Sequence, residues 1–406
     1  MSYNTRNSIK GRQIKRRTYG AGARPSRRVP KKDYINPQRF IKVAQPIAKE
    51  EYAPRHEFSD FSVNPLMKAN LAAKGYHTPT PIQDQTIPPA LEGKDIIGIA
   101  DTGTGKTAAF SIPVLQGVMM TNARALIIAP TRELAQQIDV ELSVIAAGSN
   151  LRSAVLIGGS NMAPQLRDLR TGARIVVGTP GRIKDHLERG SLKLKDFKYV
   201  VLDEVDRMLD MGFVRDIRFI LERMQSERQS FFFSATFSDK VATLITEFSR
   251  DPVTVSVKSG DTSSNVHQDI VRVTHDKQKT DKLHDLLLDG QVRKAIIFDD
   301  TQRGVERLSE ELTTRGFNVD SIHGGKTQSQ RQRSLRKFKQ NEVDILVATD
   351  VAARGLDVQD VTHVINYTVP ASYDDYIHRI GRVGRAGNVG HAFTFVTDQG
   401  GYHTQR

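Results

Sequence analysis

The stretch IIGIADTGTGKTAAF, residues 96–110, sets an apolar run against a turn holding Gly103 and Gly105, then resumes at Lys106 and Thr107. Strand, glycine-bearing turn and helix start follow in that order, which is the context a phosphate-binding loop requires. The two glycines let the backbone curl its N–H groups round an anion, and the N-terminus of the next helix adds positive dipole. Lys106 has the reach for the β- and γ-phosphates of a nucleotide, and the Thr107 hydroxyl is suited to ligate Mg²⁺. Alanine stands at position 100, where the generic loop pattern has its first glycine.

Downstream, KYVVLDEVDRML, residues 198–209, drives a second apolar run into Asp203, Glu204 and Asp206. Like charges at the end of a buried strand are costly unless a cation offsets them. At the C-terminal end of a parallel strand, beside the phosphate loop, Asp203 is placed to hold Mg²⁺ through water. Glu204 is then placed to orient and deprotonate an attacking water. Val205 crowds that strand end, at a cost of about 1–3 kcal/mol if packing does not relax.

Around these two stretches, short apolar runs alternate with amphipathic segments. KDIIGIA, RALIIAP, SAVLIGG, ARIVVGTP, YVVLDE and SFFFSAT read as central strands, with helical periods at 133–145 and 163–169 between them. Such alternation predicts an α/β fold with a parallel sheet covered by helices on both faces. SVKSGDTSSNV, residues 256–266, interrupts it with no apolar period and reads as a linker. KAIIFDD, NVDSIHG, VDILVATD, THVINYTV and HAFTFVT then open a second α/β series. The expected organisation is a tail over 1–57, a first domain over 58–257, a linker over 258–266, a second domain over 267–398 and a short end over 399–406.

Composition agrees with two soluble cores. The chain has 406 residues, 38% hydrophobic and 26% charged, and no cysteine, which excludes disulfides, thiolate metal sites and a cysteine nucleophile. No run approaches the length of a membrane span, and no apolar stretch marks a signal peptide, so a cytoplasmic monomer is the plain expectation. Net charge is +13, and residues 1–57 carry most of it, with 15 Lys/Arg against 4 Asp/Glu. With its prolines, glycines and scattered Tyr3, Tyr19, Tyr34 and Phe40, this tail reads as largely disordered and suited to nucleic acid or protein partners. PQRFIKVAQP within it is apolar enough to dock on the body.

With these motifs in order, the chain resembles the DEAD-box ATP-dependent RNA helicases of helicase superfamily 2, over roughly residues 58–398. ADTGTGKT resembles the family's phosphate loop, and DEVD its acidic tetrad, with Val205 in place of alanine. The resemblance implies two tandem RecA-like domains joined by a short linker. It also implies ATP and Mg²⁺ bound by Thr102, Gly103, Thr104, Gly105, Lys106, Thr107 and Asp203. GYHTPTPIQ resembles the adenine-recognition motif, so Gln83 would hydrogen-bond the adenine edge and Phe58 would stack on its face. SAT, residues 234–236, implies that Ser234 and Thr236 couple to Asp206.

RNA contacts are implied at PTRELA (Thr131, Arg132), Gly159 and TPGR (Thr179, Arg182). In the second domain they fall at QSQR (Gln328, Arg331) and ATDVAARGLD (Thr349, Arg354). These groups grip phosphate and ribose without reading bases, so low sequence specificity follows. In YIHRIGRVGRAG, Arg382 and Arg385 match the arginine fingers and His378 the contact to the coupling motif, while Asp357 would hold the nucleotide sugar. Val383 and Thr368 depart from the threonine and aspartate usual at those places. An ATP-dependent RNA clamp with little unwinding would carry the same motifs. A DNA-dependent translocase would share the loop and fingers but not the adenine motif. Since eight residues follow Asp398, no C-terminal RNA-binding domain is expected to name a target.

Overall fold

The computed structural model describes residues 1, 35–44, 52–101, 103–257, 265–353, 358, 360–384 and 389–397. The first domain is a sheet of seven parallel strands: β1 (Ile96–Ala100), β2 (Arg124–Ile128), β3 (Ser153–Leu156), β4 (Ile175–Gly178), β5 (Phe197–Leu202), β6 (Gln229–Ser234) and β7 (Val253–Val257). They lie in the order β3-β4-β2-β5-β6-β1-β7. The second holds β8 (Val266–Val273), β9 (Ala295–Phe298), β10 (Val319–Ile322), β11 (Ile345–Ala348), β12 (His363–Asn366) and β13 (Gly390–Thr397), in the order β10-β11-β9-β12-β13-β8.

The strands are near-continuous apolar runs because helices cover both faces of each sheet. Alternate side chains serve opposite faces: Phe231 and Phe233 of β6 join one core cluster and Phe232 the other. Gly98 of β1 lies beside Phe233, whose ring occupies the place a Cβ would take. In a parallel sheet all carboxyl ends share one edge, where ligands bind. β1, β2, β4, β5 and β6 therefore deliver the phosphate loop, Thr131, Thr179, Asp203 and Ser234 to the same side.

Two strands flanking the expected linker escaped the sequence reading. β7 alternates apolar with polar residues, and β8 places three polar residues after Val266; both are partly exposed edge strands and lack the solid apolar run of a central strand, whereas β3, expected to be central, lies at the other edge of the first sheet. β8 begins at Val266, inside the span assigned to the linker, and residues 258–264 lie outside the described ones.

The tail boundary at 57 also shifts. Residues 2–34 and 45–51 lie outside the described residues, but 35–44 pack on the second domain. Pro37–Phe40 forms a 3₁₀ turn capped by Asn36, Ile35 and Phe40 enter the second domain's core, and Lys42 pairs antiparallel with Gln268 on β8. Tyr52, Arg55 and His56 bind Asp84 of the first domain. Within PQRFIKVAQP it is Phe40 that finds a covered site, while Ile41 and Val43 stay exposed. Among the described residues no helix is long and apolar enough to cross a membrane.

Candidate active site at the seam of the two domains

The phosphate loop leaves β1 and turns through Gly103 (φ 84°) and Gly105 (φ 95°), both in the left-handed region that favours glycine. Thr104 Oγ1 closes the turn by donating to Asp101 O at 2.7 Å. Helix Lys106–Met120 begins at once, with Lys106 buried and its Nζ donating to Ala100 O at 2.7 Å. Thr107 opens onto a cavity of about 520 Å³ that Gly103, Gly105 and Lys106 also line. Thr102 lies outside the described residues.

Gln83 lies beside the phosphate loop, at the start of the adenine-recognition helix. Its Oε1 accepts from Thr80 N at 2.9 Å, completing the capping box of helix Pro81–Leu91, and its Nε2 donates to Gly105 O at 3.0 Å. One N–H and one lone pair of the amide tie the adenine-recognition motif to the phosphate loop, and the second N–H and second lone pair remain for a ligand. Phe58 is buried edge-on against Tyr76 (5.2 Å between centroids) and Phe61 (5.6 Å). The aromatic ring that borders the cavity is Tyr76, whose hydroxyl donates to Glu141 at 2.9 Å. Phe58 and Tyr76 also border a neighbouring recess with His77.

At the end of β5 the carboxylates part company. Asp203 is 3% exposed, and burial pushes its carboxyl up to about 6 although the nearby Lys106 charge pulls it down. Glu204 takes φ 53°, a left-handed conformation uncommon outside glycine, and starts helix Val205–Asp210. Arg207, buried one turn on, donates to Glu204 Oε2 at 3.3 Å. Asp206 turns to the other side, where its Oδ2 accepts from Ala235 N, Thr236 N and Thr236 Oγ1 at 3.1, 2.8 and 3.0 Å. Ser234 Oγ accepts the Asp206 N–H at 3.3 Å. Val205 is fully buried in the core between Asp203 and these bonds, and its extra methyls leave them in place.

The second domain contributes to the same cavity through Arg382, 5% exposed, together with Gln332, Leu335 and Lys339. Arg382 follows helix Tyr373–Ile380, which Arg379 anchors from inside. Arg379 is 1% exposed and donates to Asp350 at 2.6 and 2.7 Å, to Thr368 O at 2.8 Å and to Asn366 at 3.2 Å. Thr368 Oγ1 in turn donates to Asp300 at 2.7 Å, so Asp300 supplies the carboxylate missing at position 368. Val383 sits in apolar core, where a threonine hydroxyl would need a partner. His378 is half-buried and lines a small recess with Asp350, Asp375 and Arg382. Arg354, Asp357 and Arg385 lie outside the described residues.

Gln328 and Arg331, expected on RNA, turn instead to Glu133 of the first domain, at 3.1 and 2.9 Å. Helix Gln328–Lys339 carries both residues, and its capping box at Thr327 aims them at the seam. Arg132 stands beside Gly158 and Gly159, with burial and the charge of Arg331 lowering its proton affinity. Arg182 donates to Ser160 O at 3.3 Å, while Thr131 caps its helix by accepting from Leu134 N and Thr179 stands at the N-cap position of the next without a side-chain bond. Thr349 is buried at the end of β11. Glu133, Arg207, Asp84, Asp300 and Asp350 were missed as functional positions. For Glu133 the signal was its place inside PTRELA; for Arg207 it was the i+3 spacing from Glu204.

Residues 80–244 match the family model for DEAD/DEAH box helicases, and residues 278–387 match that for the helicase conserved C-terminal domain. The chain is 47% identical over 335 residues to a DEAD-box ATP-dependent RNA helicase CshA of Geobacillus kaustophilus, covering 82% of this chain and 71% of that one. It is 46% identical over 343 residues to an ATP-dependent RNA helicase CshA of Listeria monocytogenes, covering 84% and 66%. The chain therefore spans about two thirds of the length of these relatives. Among solved structures, S. cerevisiae Dbp5 bound to RNA and ADP BeF3 matches with a TM-score of 0.74 at 28% identity, over 84% of this chain and 90% of that one.

Proposed function

The chain belongs to the DEAD-box family of ATP-dependent RNA helicases, and from that premise we propose that it hydrolyses ATP when RNA draws its two domains together, locally opening short duplexes without reading their sequence. The observation that carries this reading is one cavity lined by Lys106, Asp203 and Glu204 of the first domain and Arg382 of the second. Neither domain holds the whole set.

ATP would enter with its phosphates on the N–H groups of the loop, displacing Lys106 from Ala100 O. Mg²⁺, held by Thr107 and Asp203, would neutralise phosphate charge and orient the leaving group. Glu204, fixed by Arg207, positions the attacking water and takes its proton. Arg382 supplies positive charge to the transferring phosphoryl group only when the domains meet, and a finger of this kind is worth on the order of 10³–10⁵ in rate. Thr131, Arg132, Gly159, Thr179 and Arg182 would hold one RNA strand by phosphate and ribose, with Thr349 and Arg354 from the second domain. Gln328 and Arg331 serve the seam through Glu133. Asp206, Ser234 and Thr236 link the acidic strand end to the RNA side. The basic tail would add sequence-independent affinity for RNA.

The test is steady-state ATPase with no nucleic acid, with single-stranded RNA and with single-stranded DNA at one salt concentration. Strong stimulation by RNA alone, abolished in Arg382→Ala, is the expected result. Equal stimulation by DNA would point to a translocase. ATP binding with no stimulation by either would point to a passive clamp.

A further inference from the structure

Asp84 follows Gln83 in the first turn of helix Pro81–Leu91, and its side chain is 1% exposed. Three groups from a short upstream segment bond this carboxylate. The Tyr52 hydroxyl and the Arg55 N–H donate to Oδ2 at 2.5 and 2.9 Å, and His56 Nδ1 lies 2.7 Å from Oδ1. A carboxylate only accepts, so His56 Nδ1 carries the proton in that bond. The segment runs on to Phe58, whose N–H donates to His77 O at 3.1 Å. Just beyond, Lys68 Nζ donates to Ser59 O at 2.6 Å, so the chain is tied down on both sides of Phe58.

These ties border a recess of about 360 Å³ lined by Phe58, Tyr76 and His77. Tyr76 also lines the cavity of the phosphate loop, so the recess opens next to the place where nucleotide phosphates would bind. An aromatic wall takes a flat base but does not choose among bases. Choice needs hydrogen bonds. Gln83 keeps one N–H and one lone pair after bonding Thr80 N and Gly105 O. That pair matches adenine, which presents an N6–H donor beside the N7 acceptor. Guanine presents two acceptors, O6 and N7, and sets one of them against the amide oxygen.

We propose that Asp84 is a positioning residue for base selection. It pins the segment that carries Phe58 to the helical turn that carries Gln83, and so fixes the aromatic wall and the amide at the spacing adenine needs. A buried carboxylate is costly unless its hydrogen bonds are made, so losing one donor weakens the hold on the whole segment. The proposal rests on the ATP-using reading of the site, and nucleotide binding without RNA tests it apart from turnover.

Displacement of a fluorescent ADP by unlabelled ADP and GDP gives both affinities for each variant. The unaltered protein is expected to bind ADP more tightly than GDP. Asp84→Asn keeps the size of the side chain and removes its charge. Its ADP affinity is expected to fall about ten-fold, the contribution of one charge-assisted hydrogen bond, with GDP affinity little changed. Tyr52→Phe deletes one donor on an exposed ring and is expected to lower the ADP preference about three-fold. Asp95→Asn is the control. Asp95 is buried at the far end of β1 from the phosphate loop, accepting from Ser230 N and Arg250 N at 2.7 and 2.8 Å. Its loss should lower the melting temperature and leave the ADP preference alone. Should Asp84→Asn fail to fold, Tyr52→Phe decides. An unchanged ADP preference in the folded variants overturns the proposal, as does a preference absent from the unaltered protein. Equal losses of ADP and GDP also overturn it, and would place Asp84 behind the phosphate loop instead. Selective loss of ADP in a protein with no RNA-stimulated ATPase would keep the clamp and sink the enzymatic reading.

Discussion

Arg331 of the second domain donates to Glu133 of the first across 2.9 Å, with the two side chains 9% and 3% exposed. Glu133 Oε2, Arg331 Nε and Gln328 Oε1 find no hydrogen-bond partner in the protein. Buried polar atoms without partners cost free energy, so the seam is closed without being locked. That suits the proposed cycle, in which the cleft reopens after each hydrolysis.

Glu133→Gln removes the carboxylate and leaves Arg331 beside Arg132, two cations on opposite sides of the seam. The RNA concentration for half-maximal ATPase is expected to rise about ten-fold, equivalent to about 1.4 kcal/mol. Affinity for ATP without RNA should not move. Pairing Glu133→Arg with Arg331→Glu should recover part of the loss, which a double-mutant cycle measures.

Asp203 supplies a pH signature. Its folded-state carboxyl titrates near 6 against 3.8 for an unperturbed one, so the native state binds the extra proton. The group's contribution to stability is fully present below about 3.8 and is lost as pH rises through about 6. Metal binding runs the other way, because only the carboxylate holds Mg²⁺. At limiting Mg²⁺ the ATPase should fall as pH drops through 6, and excess Mg²⁺ should restore it. Asp203→Asn should abolish ATPase yet raise the melting temperature, by roughly 2–4 °C for each kcal/mol recovered. A lower melting temperature would contradict the burial penalty.

Thr236→Val deletes one of three donors on Asp206 Oδ2 while keeping the shape of the turn. Because Thr236 is exposed, the loss is modest, about 1 kcal/mol or roughly five-fold. That loss is expected in the rate of duplex unwinding, with RNA-stimulated ATPase changing less than two-fold or so. Equal losses in both would place Thr236 in hydrolysis rather than coupling.

Val205→Ala restores the residue usual in this family and tests whether valine strains the strand end. Valine is fully buried with the Asp206 bonds intact, so its methyls fill space rather than force it. Truncation should cost about 2 kcal/mol in chemical unfolding, with ATPase retained. A gain in stability would mean that the crowding expected from sequence is present after all.

Most of the α/β architecture was legible because strands of a covered parallel sheet read as apolar runs, and the edge strands β3 and β10 are marked by the glycine-bearing loops that follow them. β7 and β8 were not, since VTVSV alternates and VHQDIVRV mixes polar with apolar residues, so neither gives a solid run. Phe40 reads as a stray aromatic in a basic tail until β8 and helix Tyr373–Ile380 provide the recess that buries it.

The chemical inventory of the site is local: loop glycines, Lys106, the carboxylates after β5 and the arginines after helix Tyr373–Ile380 all declare themselves by neighbours a few residues away. Partner choice is not local. Whether Gln83 reads a base or braces Gly105, whether Arg331 grips RNA or Glu133, and which carboxylate stands in at position 368 depend on groups brought together from distant parts of the chain. Periodicity and motif spacing report what each short segment carries. Hydrogen bonds and buried ion pairs form between whichever segments the sheets and helices place within 3 Å or so of each other, and that distance exists only in the folded protein.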